Sequence, residues 1–454
     1  MKKVVAIVGA GFSGSAVAIQ LLGQLHSAAS VILIDSAATS GGVAYRTSHQ
    51  THLLNVPAGN MSALPQDPDS FVEYCRRSLQ DVEGGTFVPR ALYARYLTYL
   101  LGDASERNTC GGTLTRLTAR VVGMDLSGAT GVLTLANGER IQVDHVVLAT
   151  GHLVPNTPSQ ALQVLSHVHY VSDPWTGNLD KLAQRSRDVL LVGSGLTSLD
   201  VVRQLRACGH RGTIFMVSRR GLMPNAHRDA LPLRQHHEEF LGSLLVSTPS
   251  VSEYLRLVRR YIGKGRVEGW DWRDVIAALR PITPQLWQRL NREEKLRFRR
   301  HLQVFWDVHR HRIAPCVSDE LQHLRGLGII KPVAGAIVKV LRDGDGVRVF
   351  IRLRGDRGEF QCHVARVINC TGPGTDVARA GDVLVEQLVS EGVLQDVLNG
   401  MGIRVDGMYR VASGLDQVSY IGPLLRAEYW EATAVPELRQ HAFNVANIIF
   451  DRIG

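Results

Sequence analysis

The 454-residue chain is short of several things, and each shortage excludes something. No stretch approaches the ~18 consecutive apolar residues of a membrane span. Met1-Lys2-Lys3 followed by apolar residues imitates a signal peptide, but Gly9, Gly11 and Gly14 interrupt the run and no small-residue cleavage site follows. The expected location is cytoplasmic. The six cysteines (Cys75, Cys110, Cys208, Cys316, Cys362, Cys370) form no Cys-x-x-Cys pair and none sits beside histidines at zinc spacing. Buried reduced thiols and no metal are expected. Low-complexity stretches and short-period repeats are absent. Hydrophobic content of 45% and charged content of 20% are those of an ordinary globular protein, long enough for two or three domains.

The formal charge is +9, much of it from Arg256 to Arg312. Such an excess suits an anionic cofactor, an acidic substrate, nucleic acid or a membrane surface; the simpler reading is a solvated helix face. No nucleic-acid-binding signature accompanies it.

Apolar periodicity predicts a strand at Lys3–Val8, a helix at Phe12–Leu25 and a strand at Ser30–Ile34 ending at Asp35. A Gly/Pro-rich loop follows, "SGGVAYRTSHQTHLLNVPAGNMSALP", where backbone would approach a ligand. Helices are expected at Asp69–Ser78 and Arg90–Leu101, then strands separated by Asn137-Gly138 that lead to Asp144–His152. A second strand–turn–helix–strand unit begins at Asp188 and ends in Thr213–Gly221. Arg234 to Arg312 reads as polar and helical, with Trp270, Trp272 and Trp287. Strands return at Ile337–Val340, Arg348–Leu353 and Val364–Ile368, and a late helix starts near Pro436.

Two turns carry the chemistry. Gly9-Ala10-Gly11-Phe12-Ser13-Gly14 follows a strand and opens a helix. Its glycines serve a tight turn, close approach of backbone to a pyrophosphate, and helix–strand packing. Free N–H groups at the helix start favour the phosphates. Asp35 stands 26 residues after Gly9, where a carboxylate accepts from a ribose diol. Gly193-Ser194-Gly195-Leu196-Thr197-Ser198 repeats the pattern with serine in the third place. Its second strand ends in Ser218-Arg219-Arg220, with no acid. A carboxylate there would repel a 2′-phosphate, whereas an arginine pairs with it. The first turn is therefore expected to hold FAD and the second NADPH.

At these residues the chain resembles the two-dinucleotide-domain flavoproteins, and more closely an FAD-NAD(P)-binding family related to class B flavin monooxygenases of flavin-containing, N-hydroxylating and Baeyer–Villiger types. The resemblance spans nearly the whole chain, on "VGAGFSG", "GGVAY", "LLNVPAGNMSALP", "VLATGH", "VSDPW", "VGSGLTSLD", "VSRRGLMP", "FWDVHRHRIAP", "INCTGP" and "YWEATAVPELR". It implies an α/β fold of two Rossmann-like units, the NADPH domain inserted in the FAD domain at "VLATGH" and "INCTGP", with an added helical segment. The implied boundaries are 1–155 for the first part of the FAD domain and 156–335 for the NADPH domain, with a helical insertion at about 235–325. Residues 336–370 would complete that domain or cross back, and 371–454 would form the second FAD part. Cofactor contacts are expected to extend to Ser36, Gly42, Val43, Ala44, Asn55, Met61, Arg90, Val121, Thr150, Gly151, Gly372 and Gly422. A helix N-terminus at Ala434-Val435-Pro436 would point at the pyrimidine end of the flavin, where its dipole favours the charge of the reduced ring. Two departures stand out. The Phe-x-Gly start of the oxygenating fingerprint is missing around "VLSHVHYVSDPW", and the Gly-Asp near the end of many flavin reductases reads Gly422-Pro423.

The candidates for chemistry are Arg46, Asn55, Arg90, His152 and Arg426, with Ser62 as a further flavin contact. Three readings fit. One is an NADPH-dependent FAD monooxygenase using molecular oxygen on an amine or other soft nucleophile of a small metabolite. Another is a flavin reductase or oxidase serving a quinone or protein acceptor; the absence of paired thiols speaks against disulfide exchange. The last is a non-catalytic flavin-binding sensor or partner module. Substrate groups are expected from 235–325 and the loops over the flavin.

Overall fold

The computed structural model describes residues 2–453 apart from 25–28, 39, 109–111, 127, 129, 177–178, 184–186, 229–236, 357 and 412–414. Leu25, Cys110 and Arg234 lie outside the described residues.

The buried run Val4–Val8 forms β1, and Gly9, at φ 110°, turns the chain into helix α1 (Phe12–Gln24). Strand β2 (Ser30–Asp35), the short helix α2 (Gly42–Tyr45) and helices α3 (Ser70–Ser78) and α4 (Arg90–Arg107) follow. Then come β3 (Thr113–Thr118), an antiparallel meander of β4 (Val121–Asp125), β5 (Gly131–Leu135) and β6 (Arg140–Val143), and β7 (His145–Leu148). Strand β8 (Tyr170–Val171) and helix α5 (Leu179–Ala183) precede the second unit: β9 (Val189–Val192), α6 (Leu196–Ala207) and β10 (Ile214–Ser218).

Among the described residues, seven α-helices separate β10 from its next strand, the first six being α7 (Glu238–Val246), α8 (Val251–Glu268), α9 (Trp272–Leu279), α10 (Thr283–Arg289), α11 (Arg292–His301) and α12 (Gln303–Arg310). Three of them start where the side chains of Ser250, Asp271 and Asn291 accept backbone N–H groups, which supplies partners the helix itself cannot. Their shared core is aromatic: Phe240 stacks on Tyr261 at 3.9 Å, with Trp270 beside it. Helix α13 (Pro315–Gly326) leads to β11 (Ile330–Asp343), β12 (Gly346–Leu353), β13 (Glu359–Val364) and β14 (Arg366–Asn369). The chain closes with α14 (Val383–Ser390), the paired β15 (Asp396–Val397) and β16 (Gly402–Ile403), β17 (Val418–Tyr420) and α15 (Val435–Ile453).

The first sheet is parallel throughout, in the order β17-β7-β1-β2-β3. The second runs β13-β12-β11-β10-β9-β14-β8, parallel from β11 to β8 and antiparallel across β11, β12 and β13. The expected strand at Val364–Ile368 is two strands. Its first part pairs antiparallel with β12 and its second parallel with β9, so the chain must turn between them, at Ala365. Likewise Ile337–Val340 is the middle of a 14-residue strand that changes partners near Gly335.

One hydrophobic core joins residues 5–153 with 377–449, and separate cores cover the second sheet. The chain leaves the first sheet after β7 and returns after β14. The two crossings lie side by side, with Gly374 N donating to Leu153 O at 3.1 Å. No helix among the described residues is long and apolar enough to cross a membrane.

Candidate active site

A side chain at Gly9 would put Cβ 2.2 Å from Ala149 O, and one at Gly14 would put it 1.9 Å from Gly9 O. Gly11 differs: its nearest neighbour is Gly42 Cα, at 3.8 Å. Gly9 and Gly14 therefore serve packing, and Gly11 leaves room for a ligand to meet the backbone. Phe12 and Ser13 are buried, and the first turn of α1 carries no acid. Asp35 accepts from Ala10 N and Ala37 N, both at 2.8 Å, which leaves each oxygen a further lone pair. Arg46 lies 3.9 Å from Asp35, at the mouth of a ≈ 420 Å³ cleft lined also by Ser40, Tyr45 and Arg95. Ser36, Val43 and Ala44 are exposed along this edge, and Gly42 opens α2.

The second turn copies the backbone of the first. A Cβ on Gly193 would lie 2.3 Å from Cys370 O, whereas Gly195 has nothing within 4 Å. Ser198, in the third place, is buried against the Cys370 thiol. Leu196 and Thr197 start α6, again with no acid in the first turn. Ser194 Oγ donates to Ser218 Oγ (2.8 Å), and Gly221 N donates to the same Ser218 oxygen. Arg219 is exposed, its carbonyl taking Arg354 Nη1 at 3.4 Å, which adds a guanidinium to that rim. Arg220 instead turns toward the helical insertion and stacks on Phe305.

The units are strapped together. Arg90 Nε donates to Leu53 O, and its Nη2 lies 2.8 Å from Asp200 of α6, so this candidate is engaged in a buried ion pair. Arg203 pairs with Glu320 and donates to Thr51 O. His227 Nε2 lies 3.0 Å from Asn55 O, which makes it the donor and places Asn55 where the units meet. The Ser62 hydroxyl donates to Asp67 O at 2.6 Å, a loop-capping role, while Met61 and Val121 are buried in the first core. Three potential ligand atoms, from His49, Asp180 and Cys208, also converge on this strap. The Gln204 amide bridges His49 and Asp180 at 2.8 Å to each.

Thr150-Gly151-His152 follows β7, and the Arg426 charge acts on His152; Gly422 precedes the turn that carries Arg426, and Gly372 occupies the matching place after β14. Val435 is buried and Pro436 stands at the first turn of α15. His152 keeps accessible surface although protein packs closely round it. Burial, and then the Arg426 charge, lower its pKa to about 4, so it is neutral at pH 7. Arg426 lies over Trp430, with its buried Nε lacking a hydrogen-bond partner among the described residues.

Sequence reasoning missed the contacts that tie the helical segment to the stretch leading into α15. Trp306 Nε1 donates to Glu431 Oε1 (3.0 Å), and Arg310 Nε lies 2.9 Å from Glu431 Oε2. Arg280 Nη2 donates to Glu437 at 2.6 Å. Arg310 is 10% exposed, so the solvated-face reading fails for this part of the basic segment: it is pinned to the loop before α15. Asp307 and His311 come from the same segment. The signal lay in "FWDVHRHRIAP" and "YWEATAVPELR", but neither stretch tells which partner the other supplies.

Residues 6–153 match the model of an FAD-NAD(P)-binding family. No curated protein matches the chain by sequence. Among solved structures, the chain is similar to the reduced ornithine hydroxylase of Pseudomonas aeruginosa (TM-score 0.66, 14% identity, all of both chains covered). It is similar to the ornithine N-hydroxylase of Kutzneria sp. 744 with reduced FAD, NADP+ and L-ornithine (0.64, 15%, 100% and 99%). It is also similar to the FAD-bound cadaverine monooxygenase of Erwinia amylovora (0.65, 12%, 98% and 94%). The fold is thus that of two-dinucleotide-domain flavoproteins, with the second Rossmann-like unit inserted in the first.

Proposed function

We propose that the protein is an FAD- and NADPH-dependent monooxygenase that uses molecular oxygen on an amine nitrogen of a small metabolite. One observation carries this reading: two glycine turns of the same backbone geometry, one rimmed by Asp35 and the other by Arg219 and Arg354, on two units whose crossings lie side by side. The residues fit the two cofactors. The open backbone at Gly11 and the acid-free start of α1 suit the FAD pyrophosphate, and Asp35 its ribose diol. Gly195 and the start of α6 suit the NADPH pyrophosphate, and Arg219 its 2′-phosphate. When bound, the flavin would supply the redox chemistry, by which two electrons from NADPH and one molecule of oxygen put one oxygen atom on the amine and release the other as water.

The chain's own residues orient and insulate. The Arg90–Asp200 pair holds α6 against the loop that carries Asn55. His152, neutral, offers a hydrogen bond without adding charge beside Arg426. Glu437 of the first turn of α15 is neutralised by Arg280, which leaves the positive end of that helix dipole available to an anionic group. The Kutzneria protein is named an ornithine N-hydroxylase, the Pseudomonas protein an ornithine hydroxylase and the Erwinia protein a cadaverine monooxygenase, so with the shared fold N-hydroxylation is the first activity to test on this chain.

The test is to add NADPH to the yellow protein in air and follow flavin absorbance, oxygen, peroxide and hydroxylamine, with and without amines. Amine-dependent hydroxylamine in step with NADPH use is expected. Peroxide equal to NADPH with every amine would move the reading to an oxidase, and no bleaching would remove both.

A further inference from the structure

Asp307 and His311 are four residues apart at the end of α12, near the turn that carries Arg426. Asp307 Oδ2 accepts from Gln303 at 3.3 Å. Its Oδ1 is buried without a hydrogen-bond partner among the described residues, and His311 Nδ1 stands 3.9 Å from it. The two side chains keep 32% and 36% of their surface, so a small solute can reach both.

The contrast with their neighbours is chemical. Glu431 and Glu437 are committed to Arg310 and Arg280, so their carboxylates are neutralised in place. Among the described residues, no guanidinium is paired with Asp307. The charged groups facing it are His311 on its own element, Arg426 from the turn at 423–427 and Glu431 beyond that turn. Those facing His311 are Asp307, Arg310, Arg426 and Glu437 of α15. Burial pushes the Asp307 carboxyl up, against the pull of His311 and Arg426, and pushes His311 down to about 4.

An amine reacts with an electrophilic oxygen through its lone pair, which an ammonium ion lacks. Most small aliphatic amines enter as ammonium at neutral pH, their pKa lying near that of a lysine, about 10.4. We propose that Asp307, positioned by His311, receives the ammonium group of the substrate and takes one of its protons before oxygen transfer. This rests on the monooxygenase reading above. The step balances without any redox partner: one N–H bond of R–NH3+ breaks, one O–H bond forms on the carboxylate, and a charged pair becomes a neutral amine and a neutral acid. The desolvation that raises the Asp307 pKa favours that neutral pair. Asp307 is then a catalytic residue and His311 a positioning residue.

The test uses the FAD-bound full-length protein, titrated calorimetrically with cadaverine, L-ornithine and L-lysine as probes. At least one is expected to bind the wild type, and Asp307→Asn should weaken it at least about ten-fold at pH 7. In turnover, Asp307→Asn should lower kcat/KM for N-hydroxylation by roughly 10²–10⁴-fold, the usual range for a lost general base. Part of the loss should return near pH 10, where free amine is supplied by solution, and Asp307→Glu should recover part at pH 7. His311→Gln should move the acid limb of the pH profile with a smaller loss. The proposal is overturned if no probe binds the wild type, if Asp307→Asn binds and turns over as the wild type does, if its loss ignores pH, or if flavin bleaching by NADPH falls in parallel. Asp307-dependent amine binding without any bleaching would sink the monooxygenase reading and leave the ammonium site standing.

Discussion

The two glycine turns share a backbone and differ in what lines it. Gly9 and Gly193 both have positive φ, 110° and 122°, and both abut the carbonyl of the strand that leads out of their unit, Ala149 O and Cys370 O. Gly11 and Gly195 are both open to a ligand. The differences are in side chains. The third position is a glycine jammed against Gly9 O in the first turn and a buried serine in the second. The strand end is a carboxylate in one and a hydroxyl followed by an arginine in the other. On the proposed reading, the backbone sets that a dinucleotide binds, and the rim sets which one.

Placing the serine of the second turn at the third position of the first should break the symmetry most. Gly14→Ser would force a Cβ to within 1.9 Å of Gly9 O, an overlap worth more than about 3 kcal/mol. Colourless, destabilised protein is expected, read by FAD content and Tm. Gly193→Ala meets Cys370 O at 2.3 Å in the other unit and should give yellow protein that NADPH no longer bleaches. If both variants lose FAD equally, the units are not independent in binding.

Acid should sharpen the contrast between the first unit with its crevice and the rest. Burial holds His145 and His441 of the first unit, and His52, His152, His227 and His311 around the crevice, at about 4. These folded values lie below the ordinary 6.5, so the unfolded chain binds more protons between pH 6.5 and 4. Stability should therefore be highest above pH 6.5 and fall as pH drops through that window. Calorimetry at pH 7.5 and 5 checks the direction, and His145→Gln, at a fully buried site bonded to Ser419, should shrink the fall.

Arg219→Ala should raise KM for NADPH by roughly ten- to a hundred-fold, the worth of a charged hydrogen bond, with NADH changed less than two-fold or so. Steady-state kinetics with both nucleotides decides this. The smallest effect is expected for Ser198→Gly, about 1 kcal/mol from helix propensity, with both cofactors still binding; a loss of NADPH response there would show that the serine does more than pack.

What was legible in the sequence follows from range. The strands, the turns and the Asp35-versus-Arg219 distinction are encoded within about 30 residues of each other, where periodicity and glycine spacing act directly. The 14-residue β11 and the break at Ala365 were not, because pairing partners decide them. The site divides the same way. His152 and Arg426 were singled out and do come together, while Arg46 lies beside Asp35 and Arg90 is spent on Asp200. Glu431 was not singled out, since its partners Trp306 and Arg310 lie more than 120 residues earlier, in a segment whose charges look solvated when read alone.

The most direct test of the two-cofactor account is anaerobic reduction of the FAD-bound protein in a stopped-flow cell. The account predicts bleaching of the flavin by NADPH at least about ten-fold faster than by NADH at equal subsaturating concentration, with the preference lost in Arg219→Ala. No bleaching by either nucleotide, or equal rates in the wild type, would contradict it.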